Sequence, residues 1–367
     1  QQVIDENDFL ARISGDEFAI LTQNINDTSE YDDQLKRILN VFSYPFVLST
    51  EERFISVSIG VAIAPKDGKT TSALLKNANV AMKAGKETVN NVYVYFKEEM
   101  NEKIADMIQI QSDLRNGFEN NEFVLFYEPI VRLTENKIVG FEALICWNHP
   151  TMGILYPTDF IGYAEETGII APIGIWAFKA ACSQMKEWEE KGYINIKLSY
   201  NISMLEFKDP EFISIIWDIV SKSGIRPENL TLEITEATAL DNIEYTISTI
   251  NKLKELGINF CLDKFGTNYS SIRYLKKLLI KNIKIDKILT KFAIESVDEQ
   301  RIVEAIINLL KTFKFGVIAE GVDYKDQEEF LKNANCDKAQ GALYSDPIPG
   351  EQTFEFIQSG YKRSGSE

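Results

Sequence analysis

Apolar and polar positions alternate in two registers along this chain, and the change of register divides it. In the first hundred residues the apolar runs are short and isolated. Residues 18–21 read as a strand, residues 34–46 have helical spacing, and residues 54–64 alternate with period two up to Pro65. Residues 71–86 place Leu74, Leu75, Ala78, Ala81 and Met82 on one helical face, and residues 92–96 close the segment as a strand. Residues 97–116 run helical without Gly or Pro, with Met100, Ile104, Met107, Ile108, Ile110 and Leu114 apolar, and are expected to connect two domains and dock on one of them. From Phe123 onward, eight short apolar runs (123–130, 139–146, 197–202, 230–234, 259–262, 283–285, 315–319 and 338–342) are separated mostly by long amphipathic stretches such as 172–190, 211–223, 242–256 and 298–313. That alternation predicts an α/β fold, a (β/α)8 TIM-like barrel over residues 106–362, preceded by a small α/β unit over 1–97 and a connecting helix over 98–116.

Polar residues interrupt the apolar runs in a consistent way. Glu142, Asn201, Glu233, Asp263, Glu320 and Gln340 each sit in or at the end of a different run. In a barrel such residues converge on the carboxy-terminal mouth, where barrel enzymes keep their chemistry. The four carboxylates gathered there beside two amides repel one another without a cation, and hard oxygen donors point to Mg²⁺, Mn²⁺ or Ca²⁺ rather than zinc.

Composition narrows the choice of partner. With 55 acidic against 39 basic residues, the 367-residue chain carries a net charge of −16. Such a surface repels polymeric DNA or RNA and anionic lipid, while a small anionic ligand stays possible through a bridging metal. The four cysteines (Cys146, Cys182, Cys261 and Cys336) are far apart with no CxxC pair, which argues against zinc and suits a reducing, cytoplasmic setting. No apolar run is long enough to span a membrane and no signal peptide is visible. Gln1 is not a natural start, so a longer protein, membrane-anchored upstream or not, is expected.

These residues also carry a family resemblance. Glu142-Ala143-Leu144 resembles the EAL signature, and the rest follows in order: Tyr200-Asn201-Ile202-Ser203 resembles V-N-x-S, and Leu232-Glu233-Ile234-Thr235-Glu236 resembles L-E-I-T-E. Asp263-Lys264-Phe265-Gly266-Thr267 resembles D-D-F-G-T, Lys284-Ile285-Asp286 resembles K-I-D, Ala319-Glu320-Gly321-Val322-Asp323 resembles A-E-G-V-E, and Gln340-Gly341 resembles a late Q-G. The front resembles the later part of a GGDEF domain, through Ser14-Gly15-Asp16-Glu17-Phe18, the strand 56–62 and the helix 78–86.

The resemblance implies cyclic di-GMP as ligand and, in members with an intact site, hydrolysis to the linear dinucleotide with two divalent cations. Carried over, Glu142, Asn201, Glu233 and Asp263 would hold one Mg²⁺ or Mn²⁺. Glu320 and the second aspartate of D-D-F-G would complete a second site. Lys284 would hold the attacking water and phosphate with Gln340 nearby, and Glu236 would steady the loop after Asp263.

Lys264 stands where that second aspartate belongs. At ~4 Å and an effective dielectric of ~20, lysine repels a cation by on the order of several kcal/mol, so at most one metal is expected. Alternatively, Lys264 points to solvent and a neighbouring carboxylate substitutes. In the expected nucleotide site Glu128 replaces the glutamine of Y-Q-P, Cys146 replaces the arginine of A-L-L-R-W, and Asn268 replaces a glycine of G-T-G. Losing that arginine removes a phosphate donor typically worth ~1.5–3 kcal/mol. Cys146 reads as a packed thiol and His149, before Pro150, as a loop residue.

In the front unit Ser14 replaces the first glycine of the signature, the R-x-x-D motif expected near Asp5–Asp8 is acidic at both ends, and no cyclase activity is expected. Three functions remain open: a non-catalytic cyclic di-GMP receptor, a weak phosphodiesterase, and a scaffold for an unknown protein partner. A homodimer is compatible with each.

Overall fold

The structure, a computed structural model, describes residues 4, 8–23, 28–48, 51–53, 55–86, 92–266 and 272–359. The chain divides into two compact units, residues 1–109 and 110–367.

The first unit opens with a hairpin of β1 (Phe9–Ser14) and β2 (Glu17–Leu21). At its turn Gly15 takes φ 45°, and the Arg12 guanidinium donates to the Gly15 carbonyl at 2.9 and 2.6 Å. Next come α1 (Thr28–Val41), an antiparallel pair of β3 (Phe46–Leu48) and β4 (Glu51–Arg53), and β5 (Ser58–Val61), which runs through α2 (Thr71–Lys86) to its parallel partner β6 (Val92–Tyr95). Gly60 is needed because a Cβ there would lie 1.9 Å from the Ala78 carbonyl oxygen, so α2 rests directly on β5. Two expectations shift. The period-two run 54–64 yields only a four-residue strand, because its partner β6 is itself four residues long and Pro65 ends the run. The helix expected over 34–46 lies earlier, since the residue before Pro45 is disfavoured in a helix. Asp5 and Asn268 fall outside the described residues.

Helix α3 (Glu99–Glu119) begins in the first unit, where Met100 packs on Val80, Ala81 and Phe96. Its later turns belong to the second unit, where Ile110 and Leu114 are buried with Phe123, Trp147 and Phe160. Gly117 lies under the Trp147 ring, whose Nε1 donates to Glu122 at 2.9 Å. His149 Nδ1 accepts from the Thr151 and Met152 amides, and its Nε2 lies 3.3 Å from Asp113, which gives it the expected structural role.

The second unit is a closed barrel. Its strands are β7 (Phe123–Arg132), β8 (Lys137–His149) with the short flap β9 (Gly153–Leu155), β10 (Lys197–Asn201), β11 (Leu230–Thr235), β12 (Asn259–Phe265), β13 (Asn282–Ile285), β14 (Gly316–Ala319) and β15 (Lys338–Ala339). The order β7-β15-β14-β13-β12-β11-β10-β8 closes through the β7–β8 pairing, and β16 (Ile348–Pro349) pairs antiparallel with Phe126 and Tyr127 of β7. The predicted barrel is therefore present, with one strand reversed: β7 runs antiparallel to both neighbours. Only residues 133–136 join β7 to β8, too few for a crossover helix, and Asn136 at φ 54° makes the turn.

Outside the barrel lie α4 (Pro157–Thr167), α5 (Ile170–Glu190), α6 (Met204–Lys208), α7 (Phe212–Ser223), α8 (Glu236–Asp241), α9 (Ile243–Lys254), α10 (Ile272–Leu275), α11 (Lys287–Phe292), α12 (Val297–Thr312), α13 (Lys325–Asn333) and α14 (Thr353–Ser359). The core sits between strands and helices, with Phe178, Met185, Trp188, Leu198, Leu232, Phe260, Ile283, Val317 and Leu331 fully buried. No helix among the described residues is long and apolar enough to cross a membrane.

Helix α6 is started by a capping box in which Ser203 Oγ accepts from the Glu206 amide and donates back to the Glu206 carboxylate. The Glu206 side chain then lies against Gly174 in an apolar cleft with Phe178, Ile202 and Phe212. Burial pushes its carboxyl up to about 7, against the Ser203 hydrogen bonds and with help from Glu165. A raised carboxyl pKa favours the protonated fold, so this contribution is complete below ~4.5 and lost as pH rises through about 7. Glu206→Gln, which keeps the acceptor and removes the titration, should flatten the fall of Tm between pH 5 and pH 8. Parallel Tm–pH curves for the variant and the parent would refute this.

Candidate functional site

Side chains alternate across a strand, so each inward position at a strand's carboxy end meets its neighbours around the barrel mouth. Glu142 from β8, Asn201 from β10, Glu233 from β11, Asp263 from β12 and Lys284 from β13 meet there, joined by Glu320 and Gln340, which follow β14 and β15. Lys284 is the hub. Its fully buried ammonium lies 2.6 Å from Glu142 Oε2, 2.6 Å from Glu233 Oε2 and 3.3 Å from Glu320 Oε1. Glu142 also accepts from Asn201 Nδ2 at 2.5 Å and from Gln340 Nε2 at 2.6 Å. The Gln340 amide reaches Glu128 as well, at 2.9 Å, and Glu128 stands directly opposite Glu142 in the β7–β8 ladder.

One ammonium among so many acids divides their protonation. Burial alone would raise Glu142, but Lys284 and the hydrogen bonds of Gln340, Lys284 and Asn201 outweigh it and hold that carboxyl below its ordinary value. Burial raises Glu233 and Glu128 to about 8, and Asp263 and Glu320 also rise. Lys284 itself is held well above its ordinary value: burial opposes its charge, and Glu142, Glu233, Glu320 and Asp263 more than restore it.

Lys264 departs from this arrangement in its backbone. The β12–β13 register slips between Leu262 and Phe265, and within that bulge Lys264 takes φ 54°. Left-handed backbone at a long side chain costs ~1–2 kcal/mol, whereas Gly, Asn and Asp adopt it more readily. The Lys264 amide donates to Asp263 Oδ1 at 2.8 Å, and the side chain is exposed, with Asp263 and the half-buried Glu165 of α4 in its field. Glu236 opens α8 and accepts from the Tyr274 hydroxyl of α10 and the Gly266 amide, clasping both ends of the segment after Asp263. Cys146 is wholly buried, its thiol pushed up to about 12 by burial and then by Asp159, which suits a packed thiol.

Glu142, Glu233 and Asp263 with Asn201 offer the oxygen donors a hard cation takes, and Glu233 Oε1 is buried without accepting a hydrogen bond. In chemistry the set fits Mg²⁺ or Mn²⁺. It is not arranged as a cage: among the described residues no three acidic, His or Cys side chains converge as metal ligands, because Lys284 has gathered the carboxylates onto itself. Glu165 and Glu206 were not anticipated; they lie on helix turns, where a charge reads as solvated and carries no period-two signal.

Fold and site together define an EAL-type α/β barrel behind a partial nucleotidyl-cyclase-like segment. The profile of the EAL domain matches residues 111–347, and that of the diguanylate cyclase GGDEF domain matches residues 1–92. The chain belongs to the EAL-domain family. It is 34% identical over 345 residues (94% of this chain, 50% of the relative) to the bifunctional diguanylate cyclase/cyclic di-GMP phosphodiesterase MucR of Pseudomonas aeruginosa. It is 38% identical over 356 residues (97% of this chain, 44% of the relative) to the signaling protein YkoW of Bacillus subtilis. The chain thus spans about half the length of these curated relatives. Among solved structures it resembles the PaMucR phosphodiesterase in complex with c-di-GMP, at 35% identity and TM-score 0.65, over 67% of this chain and 99% of that one. An EAL domain protein of Listeria monocytogenes is similar at 27% identity and TM-score 0.58, over 68% of this chain and 97% of that one.

Two substitutions test this geometry. Lys284→Met leaves Glu142 and Glu233 buried without their cation and should cost ~3–5 kcal/mol at pH 8, and less at pH 5, in urea unfolding. Equal losses at both pH values would contradict the counter-ion role. Lys264→Gly should leave stability unchanged or raise it by up to ~1 kcal/mol by relieving the left-handed residue, and a clear loss would show that the lysine side chain holds the loop.

Proposed function

We propose that this chain is a cyclic di-GMP-binding regulatory module that holds one divalent cation and hydrolyses the ligand poorly or not at all. The observation that carries the reading is the residue after Asp263: the position resembling the family's second metal-binding aspartate holds Lys264. A second cation at that position would face a like charge. Glu142, Asn201, Glu233 and Asp263 would hold the single Mg²⁺ or Mn²⁺, Glu142 and Glu233 exchanging part of their grip on Lys284 for it. A bound cation neutralises ligand phosphate and lowers the pKa of its water. The chain's own residues do the rest. Lys284 stays charged and presents an ammonium to phosphate, Gln340 ties Glu128 to Glu142, and Glu236 with Tyr274 holds the ends of the loop beside the ligand. Lys264 supplies positive charge at the rim without activating water.

The c-di-GMP complex of the PaMucR phosphodiesterase supports the choice of ligand. Cys146 weakens the expected affinity because a buried thiol gives phosphate no donor, and Glu128, its carboxyl raised to about 8 by burial, adds a repelling charge as pH rises through that value. In the front unit Ser14 breaks the signature glycine pair, and that unit is assigned no cyclase activity.

Calorimetric titration of cyclic di-GMP with Ca²⁺ present should give saturable binding at micromolar affinity or tighter. No heat at two temperatures would replace this reading with that of a protein scaffold. With Mg²⁺, Lys264→Asp should create or raise production of the linear dinucleotide. Brisk hydrolysis by the parent protein would instead make it an active phosphodiesterase.

A further inference from the structure

At the opposite end of the same strands lies a second concentration of charge, of opposite sign. Lys197 is the first residue of β10 and Lys338 the first of β15, while Arg132 is the last residue of the reversed strand β7. The register sets Lys338 directly beside Arg132, and Arg132 beside Lys137. Lys281 immediately precedes β13, its carbonyl accepting from the Gly316 amide at 2.9 Å. On β10, Lys197 shares the inward face of Ser199 and Asn201. Lys338 lies two residues before Gln340, in phase with it, and pairs in register with Ile318 of the apolar cluster Ile130, Cys261 and Ile318, which sets it at the base of the barrel interior.

These cations face one another rather than acids. Burial, then Lys281 and Arg132, pull Lys197 below its ordinary value, and burial, then Lys197 and Arg132, do the same to Lys338 despite Asp337. Asp337 is already engaged, with Lys311 at 2.6 Å and the Val317 amide at 2.8 Å. Arg132 has one partner, Glu135, at 2.6 Å on the exposed turn. Among the described residues no ion pair engages Lys197, Lys281 or Lys338. In a chain of net charge −16, lysines so grouped, Lys338 half-buried and Lys197 and Lys281 exposed, repel one another unless an anion lies between them.

We propose that the amino-terminal mouth of the barrel, ringed by Arg132, Lys197, Lys281 and Lys338, binds a small phosphate-bearing anion of the pyrophosphate or polyphosphate class. Several cations converging on one opening suit a compact multiply charged anion, and Arg132 adds a planar fork matched to phosphate oxygens. The acidic remainder of the surface turns away nucleic-acid polymers. The site shares no residue with the carboxylate mouth and does not depend on what binds there.

The test is calorimetric titration of sodium pyrophosphate into the full chain at constant ionic strength, without divalent cations. Saturable binding of one pyrophosphate per chain is expected, weakened at least ~10-fold in Lys197→Met/Lys338→Met and unchanged in Lys264→Ala. No saturable binding, or equal affinity in the double variant, overturns the proposal. So does loss of binding in Lys264→Ala, which would move the anion to the other mouth. If the double variant does not fold by circular dichroism, the exposed Lys281→Gln takes its place, with a loss of at least ~3-fold expected and equal affinity again overturning the proposal.

Discussion

The Lys284 ammonium is fully buried and bridges carboxylates from three other strand ends. An unpaired charge in such a place would be untenable, and so would the carboxylates without it. The contacts run through one residue, Glu142, which receives Asn201, Lys284 and Gln340 together. Around half the barrel circumference the strand ends are thus tied by charge-assisted bonds as well as by the ladder. A change at one position alters the protonation of its neighbours as well as its own contact, which is why Glu128 and Glu233 stand so far above ordinary carboxylates while Glu142 falls below them.

The bulge after Asp263 imposes a second constraint. The slip in register and the positive φ at Lys264 and Gly266 turn the chain sharply out of β12, and the Glu236 carboxylate fastens Gly266 on one side and Tyr274 on the other. A short polar residue would meet that backbone at less cost than lysine. The left-handed turn survives with lysine in it because the ladder below and the clasp above fix the backbone, whatever side chain is carried between them. The chemistry at this position can therefore change sign while the backbone of the turn keeps its shape.

Much of this was legible in the sequence because barrel strands carry two superimposed signals. Apolar outward residues mark each strand, and a polar inward residue at its end marks the mouth, so the sequence pattern alone assigns Glu142, Asn201, Glu233, Asp263 and Gln340 to one place. The reversal of β7 was not legible from hydrophobic period, which is the same in both directions; the signal lay in the four-residue link to β8. The lengths of the strand at Ser58–Val61 and the helix at Thr28–Val41 were set by a short partner and by Pro45, features local pattern underweights. Glu165 and Glu206 escaped because helix turns bring the first into the field of Lys264 and the second into an apolar cleft with no sequence mark.

The lysines at the strand starts show the same limit from the other side. Lys197 and Lys338 lie four and two residues before Asn201 and Gln340, in phase with them, and Arg132 lies four after Glu128 on the reversed strand. With ~3.3 Å per residue the two charged layers are separated by only ~7–13 Å, comparable to the screening length in water at physiological salt. Between them the interior holds Ile130, Cys261 and Ile318, where screening by salt does not reach. The strands therefore carry a field along the barrel axis, positive at their amino ends and carboxylate-rich at the other. Within each layer the groups respond to their own neighbours, Lys197 to Lys281 and Arg132, Lys338 to Lys197 and Arg132, and the mouth carboxylates to Lys284.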